Sequence, residues 1–142
     1  MHLMNFSVEK LEFRHGPKGS VVKVLRKSDA SFEDFGELYF SFVDLGQIKG
    51  WKRHRIYSLN LVVVSGAVTF AIYDRRLELV RLDSGSNYLR LWIKAGTWFA
   101  FRGEEENNQI LSVIPGEHDP QEVETIEHPA GDKFIHSILS MT

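Results

Sequence analysis

Within the short segment Ile48-Lys49-Gly50-Trp51-Lys52-Arg53-His54, side chains able to bind anions or move protons are crowded together. His54 carries an imidazole with an intrinsic pKa near 6.5, so it exchanges protons around neutrality without special tuning. A lysine acts as a base only where burial or neighbouring positive charge brings its pKa down by several units from about 10.4. Lys49, Arg53 and His54 place such charge around Lys52. His54 and Lys52 are therefore the candidate proton-transfer groups. The same pattern also fits a bland strand rim, with His54 bonded to solvent or backbone and Lys52 a phosphate ligand or a solvated charge. For His54 the two readings stand level.

The elements that must position these groups read as strands. From about Ile56 to Val64, β-branched and aromatic residues dominate, which predicts a strand half buried against a core. Ser65-Gly66 and the run Ala67 to Tyr73 then predict a hairpin partner. Further strands are expected at 21–25, 37–43, 77–82, 89–93, 97–101 and 109–114, separated by turns such as Gly16-Pro17-Lys18-Gly19, Asp83-Ser84-Gly85-Ser86-Asn87 and Lys94-Ala95-Gly96. Residues 119–126 read ambiguously, between a helical turn and an extended end. With about eight or nine short strands and no long amphipathic helix, the chain is expected to form an all-β sandwich or barrel. Tyr39, Trp51, Trp98 and Phe99 either line a pocket on which a sugar or base stacks or fill the core. His128 and His136 are expected to be structural.

A chain of 142 residues with 43% hydrophobic content is enough for a single domain over 1–142. With no cysteine, the chain has no disulfide, thiolate metal site or Cys nucleophile. A net charge of −2 lacks the basic excess of a dedicated nucleic-acid binder, which leaves a β-barrel binding RNA or DNA through Lys49 to Arg55 as the weakest option. The N-terminus shows no secretory pattern and no apolar run approaches the roughly 20 residues of a bilayer span. A soluble cytoplasmic protein, not associated with membranes, is the expectation.

Several motifs carry a resemblance. Gly46, five residues, then Lys52-Arg53-His54, followed by Gly66 and by Gly96-Thr97-Trp98-Phe99, is similar to the cupin pattern. Cupins are double-stranded β-helix jelly rolls. More narrowly, Glu37-Leu38-Tyr39-Phe40, Ile48-Lys49-Gly50-Trp51, Ala71-Ile72-Tyr73-Asp74 and Ile114-Pro115 with Asp119-Pro120 resemble the branch that holds dTDP-4-dehydrorhamnose 3,5-epimerases and dTDP-sugar 3,4-ketoisomerases. The likeness spans roughly residues 36–122.

The resemblance implies which slots matter. Metal-dependent cupins hold a divalent ion through three His and a Glu. Here Lys52, Leu59 and Phe99 occupy three of those places and only His54 is kept. One imidazole is too few for a transition metal, which takes about three protein ligands, so a site without metal or cofactor is expected. In the metal-free epimerases a His base and a Tyr acid work on opposite faces of the carbon beside a ketone. Their positions fall on Lys52 and near Ser112, whereas His54 matches the second His of the ketoisomerase Gly-x-His-x-His pair. Lys49 falls where the branch has an Arg for the pyrophosphate.

Two functions of different class follow. One is an epimerase or ketoisomerase acting on a nucleotide-linked keto-deoxysugar in carbohydrate biosynthesis by metal-free proton transfer, with His54 and Lys52 catalytic. Lys49, Arg53, Tyr39, Trp51 and Phe99 would bind its substrate. The other is a binding cupin that holds a nucleotide sugar or another small anionic ligand without turnover. The residues leave open whether the chain is an enzyme. A homodimer is expected, because aromatic-rich strands at 37–43 and 97–101 exceed what one small core buries.

Overall fold

The computed structural model describes residues 5–85 and 88–126, and these contain strands and no helix. The strands are β1 (Phe6–Lys10), β2 (Glu12–Arg14), β3 (Val21–Lys23), β4 (Glu37–Asp44), β5 (Ile48–His54), β6 (Leu59–Ser65), β7 (Ala67–Asp74), β8 (Arg76–Asp83), β9 (Leu89–Ile93), β10 (Trp98–Gly103), β11 (Asn107–Ile114) and β12 (Val123–Thr125). One five-stranded sheet runs β1-β9-β6-β11-β4 and a second runs β12-β5-β10-β7-β8, with β2 and β3 paired separately. All the pairings between strands are antiparallel. The all-β jelly-roll expectation holds. His128 and His136 lie outside the described residues, as do Ser86 and Asn87 of the predicted turn.

One expectation fails in an instructive way. The runs on either side of Ser65-Gly66 do not form a hairpin: β6 pairs with β9 and β11, whereas β7 pairs with β8 and β10. The turn carries the chain from one sheet to the other. Gly66 permits this at φ +78°, where a Cβ would sit 2.3 Å from the Asn107 carbonyl oxygen. Asn108, buried in the same corner, accepts from Ala67 N at 3.0 Å and donates to Val43 O at 3.0 Å. The tight hairpin lies one strand later, between β7 and β8, where Arg75 takes φ 66°.

Between the sheets, Val43, Leu59, Leu61, Val63, Val68, Phe70, Ile72, Leu91, Phe99, Phe101 and Ile110 pack as one core. Alternation along β4 and β11 sets this register, with Tyr39, Ser41 and Val43 facing in opposite Ser112 and Ile110. On the far side of the first sheet, Arg90 is buried and ties the preceding loop down through Val24 O, Asp29 and Glu9. Asp29 is held below the usual carboxylate range, first by the Arg26 backbone N–H and then by Arg90, against the opposing effect of burial.

The residues 48–54 form an interior strand, β5, paired on both edges. That stretch reads in sequence as a polar rim because its charges interrupt any alternation. Residues 119–126 resolve as a turn at Asp119 followed by the short strand β12, which pairs with β5.

Candidate functional site

On β5 the register against β10 is broken. Lys52 faces Phe99, Gly50 faces Ala100 and Lys49 faces Phe101, so Trp51 is an extra residue in the ladder. Such a bulge changes which side chains share a face. Gly50, at φ +127°, lets β5 approach β10 closely, since a Cβ there would lie 2.7 Å from Ala100. Lys49 and Lys52 both come to the side of Phe99 and Phe101, the core side, although they are three positions apart. His54, two residues beyond Lys52, shares that face.

A narrow cleft opens between the sheets on this side. Its walls are Tyr39 and Ser41 from β4, Lys52 from β5, Leu59 and Leu61 from β6, Phe70 from β7, Phe99 and Phe101 from β10, and Ile110 and Ser112 from β11. The space amounts to about 270 Å³ including open solvent at its mouth, and within it there is room for about one water molecule. Phenyl rings fill the rest. Lys52 Nζ lies 5.6 Å from the Phe99 ring centroid and 5.8 Å from that of Phe101. Burial pushes the Lys52 pKa down, and the charge of Lys49 adds to the effect.

His54 stands beside this cleft, buried, with Nδ1 2.6 Å from Glu122 Oε1. The other carboxylate oxygen of Glu122 accepts the backbone N–H groups of Ile56 and Tyr57, each at 3.1 Å. An oxygen facing Nδ1 from a carboxylate so anchored accepts the Nδ1 proton, which leaves Nε2 with its lone pair free. Burial lowers the His54 pKa; the hydrogen bond and charge of Glu122 act in the opposite direction, and Lys52 and His118 add to the lowering. The ring is thus a neutral base at neutral pH.

Glu122 itself is positioned by backbone. Its N–H bonds to Asp119 O at 2.9 Å, its carbonyl accepts from Arg55 N at 2.8 Å, and β12 then pairs with β5, His54 opposite Val123. The loop before it is seated where Gly116 lies against Tyr57, so closely that a Cβ would come within 2.1 Å of the hydroxyl.

Tyr39 completes the polar lining. It sits opposite Ser112 across the β4–β11 ladder. Burial raises its pKa, partly offset by Ser112 and reinforced by the charges of Glu37 and Glu122, so the phenol keeps its proton. The strand register thus brings a phenol to the Ser112 position, where the family resemblance expects a tyrosine.

The seven residues singled out in sequence do not all converge. Tyr39, Lys52 and Phe99 line the cleft, and His54 adjoins it. Phe99 is also core, 2% exposed. Lys49 is exposed, with its ammonium bonded to the Phe42 carbonyl. Trp51 and Arg53 instead take the outer face of β5: Trp51 packs with Ala71 and Ala100, and Arg53 stacks 4.6 Å over Trp98 while pairing with Glu124. The bulge and the two-residue period of the strand turn them away from Lys52. Glu122 had no signal in sequence beyond its type, because 68 residues separate it from its partner. Among the described residues no group of three or more His, Asp or Glu stands together as a metal site would require.

No protein-family model matches the chain, and no curated protein sequence matches it. Solved structures do. A dTDP sugar isomerase from Desulfovibrio desulfuricans G20 is similar with a TM-score of 0.80 at 27% identity, covering 88% of this chain and 85% of that one. A 3'-monoepimerase from Streptomyces bikiniensis, in complex with dTDP-quinovose, gives 0.78 at 13% identity over 89% and 71% of the two chains. A sugar 3,4-ketoisomerase from Thermoanaerobacterium thermosaccharolyticum, in complex with TDP, gives 0.77 at 18% over 99% and 98%. The fold is the cupin jelly roll of these proteins.

Proposed function

We propose that this chain, built on the cupin fold it shares with dTDP-sugar isomerases and epimerases, moves a proton at the carbon beside the ketone of a nucleotide-linked keto-deoxysugar. The observation that carries this reading is the buried His54–Glu122 pair next to a cleft lined by Lys52 and Tyr39. His54 takes the α-proton through Nε2. Glu122 holds the ring in the tautomer that leaves Nε2 free and stabilises the imidazolium formed. Tyr39, still protonated, returns a proton to the intermediate. Lys52 stands at the carbonyl end.

The narrowness of the cleft supports a limited division of labour. The cleft is too small for a nucleotide, so the diphosphate and base stay outside it, and exposed Lys49 on the same strand is the cation offered to the diphosphate. Neither Trp51 nor Arg53 is assigned a contact, since both lie on the outer face. The proposed assembly is a homodimer. Leu38, Phe40 and Phe42 point outward from the edge strand β4, each more than half exposed at 53%, 55% and 59%. A second copy covering that stripe removes it from water.

Solvent deuterium exchange tests the catalytic reading. The chain incubated with dTDP-4-keto-6-deoxyglucose in D2O should place deuterium beside the ketone. No incorporation above the enzyme-free rate at high protein concentration would refute it.

A second reading has its own support in the phenyl rings that fill the cleft: a binding cupin that holds a nucleotide sugar or another small anion at its mouth without turnover. A ligand that binds the folded state alone raises the melting temperature. A shift with dTDP or the dTDP-sugar, accompanied by no exchange, favours this reading over the first.

A further inference from the structure

Lys52 differs from the other buried or half-buried cations of the described residues. Arg90 pairs with Glu9 and Asp29, Arg102 with Glu104, and Arg53 with Glu124. Lys52 has no carboxylate partner among the described residues, and its nearest charged influence is the like charge of Lys49. Its immediate company is two phenyl rings and the hydroxyl-bearing Tyr39, Ser41 and Ser112 of the same cleft. The ring faces favour an ammonium by only about 0.5–2 kcal/mol. Partial burial of a charge without a carboxylate counter-ion disfavours the ammonium, which lowers the pKa of the amine.

An amine whose pKa is lowered by an apolar cleft offers more of its free-base form, which is the nucleophile toward carbonyl carbon. We propose that Lys52 captures a ketone or aldehyde at the cleft mouth as an imine. The nitrogen lone pair forms the N–C bond while the C=O π pair moves to oxygen, which takes a proton. The nitrogen then loses a proton, and the hydroxyl takes another and departs as water as C=N forms. Amine, carbonyl and one proton give the protonated imine and water, with no change of oxidation state. Tyr39, Ser41 and Ser112 are the hydroxyls on hand to relay those protons. Once protonated, the imine withdraws electrons from the adjacent carbon more strongly than the ketone does, so His54 removes a more acidic proton. Hydrolysis by the reverse route releases the product.

The use of His54 rests on the function proposed above; the capture of a carbonyl does not. The test therefore uses two probes on the full chain, acetaldehyde and dTDP-4-keto-6-deoxyglucose, each followed by borohydride reduction and peptide mass mapping across pH 6 to 10. Exposed Lys94 is the internal reference. The expected result is a reduced adduct on Lys52 whose labelling levels off at lower pH than that of Lys94. Folded Lys52→Arg, checked by circular dichroism, should lose that adduct and keep the one on Lys94.

Labelling of Lys52 that follows the pH curve of Lys94, or no labelling of Lys52 by either probe, overturns the proposal. Deuterium exchange into the sugar with Lys52 unlabelled removes the imine and leaves the isomerase reading intact. Acetaldehyde capture at low pH without sugar capture or exchange supports the reactive amine and removes the sugar.

Discussion

Glu122 Oε1 lies 2.6 Å from His54 Nδ1, and the same carboxylate accepts two backbone N–H groups immediately after β5. One side chain therefore both fixes the imidazole and seals the end of the strand that carries it. Structure and proposed chemistry share a single residue here, and the two roles are separable by substitution.

Glu122→Gln retains an acceptor for the amides but loses the negative charge facing the ring. Deuterium exchange should fall by about a hundredfold or more, as when the orienting carboxylate of a catalytic histidine is neutralised. Thermal melting should move little. Glu122→Ala leaves buried donors unsatisfied and should cost about 2–4 kcal/mol in urea unfolding. Equal exchange rates in Glu122→Gln and the parent protein would remove the pair from the mechanism.

The pH dependence has a defined sign. His54 titrates below its ordinary value when folded, so between about 6.5 and that lower value the unfolded chain binds a proton the folded one does not. The stability contributed by neutral His54 is complete above about 6.5 and is lost as pH falls through the folded value. Exchange activity should show its acid limb in the same window, below about 6.5, because the base must be unprotonated. NMR titration of the His54 ring gives the midpoint directly. A midpoint above that of a free histidine contradicts the dominance of burial.

Replacing Lys52 with Met keeps an apolar stem beside Phe99 and Phe101 and deletes a half-buried amine that has no carboxylate partner among the described residues. Lys52→Met should raise stability by about 1–3 kcal/mol at neutral pH while abolishing exchange. Chemical denaturation of the two proteins side by side decides it, and a destabilised Lys52→Met would show that the amine has a favourable partner.

Tyr39→Phe removes the phenol and leaves the Ser112 hydroxyl without that neighbour. The loss in stability should be small, about 1 kcal/mol. Exchange should drop by about 10²-fold or more if Tyr39 carries the proton, the usual range for a general acid. Ser112→Ala should change exchange far less than Tyr39→Phe; the reverse order assigns the acid role to the serine.

On β4, a charged residue at either exposed phenylalanine tests the assembly. Phe40→Glu or Phe42→Glu should convert a dimer to a monomer in light scattering at micromolar concentration, with the fold kept by circular dichroism. An unchanged mass for both variants moves the interface elsewhere.

Much of the fold was legible because local pattern and burial agree. Strands β4, β7, β8, β9 and β11 fall close to where β-branched and alternating residues put them. Strand β5 escaped because Lys49, Lys52, Arg53 and His54 interrupt the alternation and a bulge breaks its period. The false hairpin at Ser65-Gly66 arose because a short turn between two apolar runs says nothing about which sheet each run joins. Both β6 and β7 are buried almost throughout, so neither carries the one-sided alternation that would have separated them.

Sequence alone determined the chemical inventory: an imidazole and a lysine two residues apart on an extended segment, no thiol, and only His54 in the four slots that the cupin resemblance gives to metal ligands. It also determined the β class, since strand propensity and alternation are local properties. Tertiary structure decided which of those groups meet. Glu122 reaches His54 from the far end of the described chain, Tyr39 meets Ser112 across a ladder, and Arg53 is turned outward by a two-residue period that a neighbouring bulge shifts. Residue type is written position by position, whereas proximity and desolvation exist only once the sheets have closed on one another.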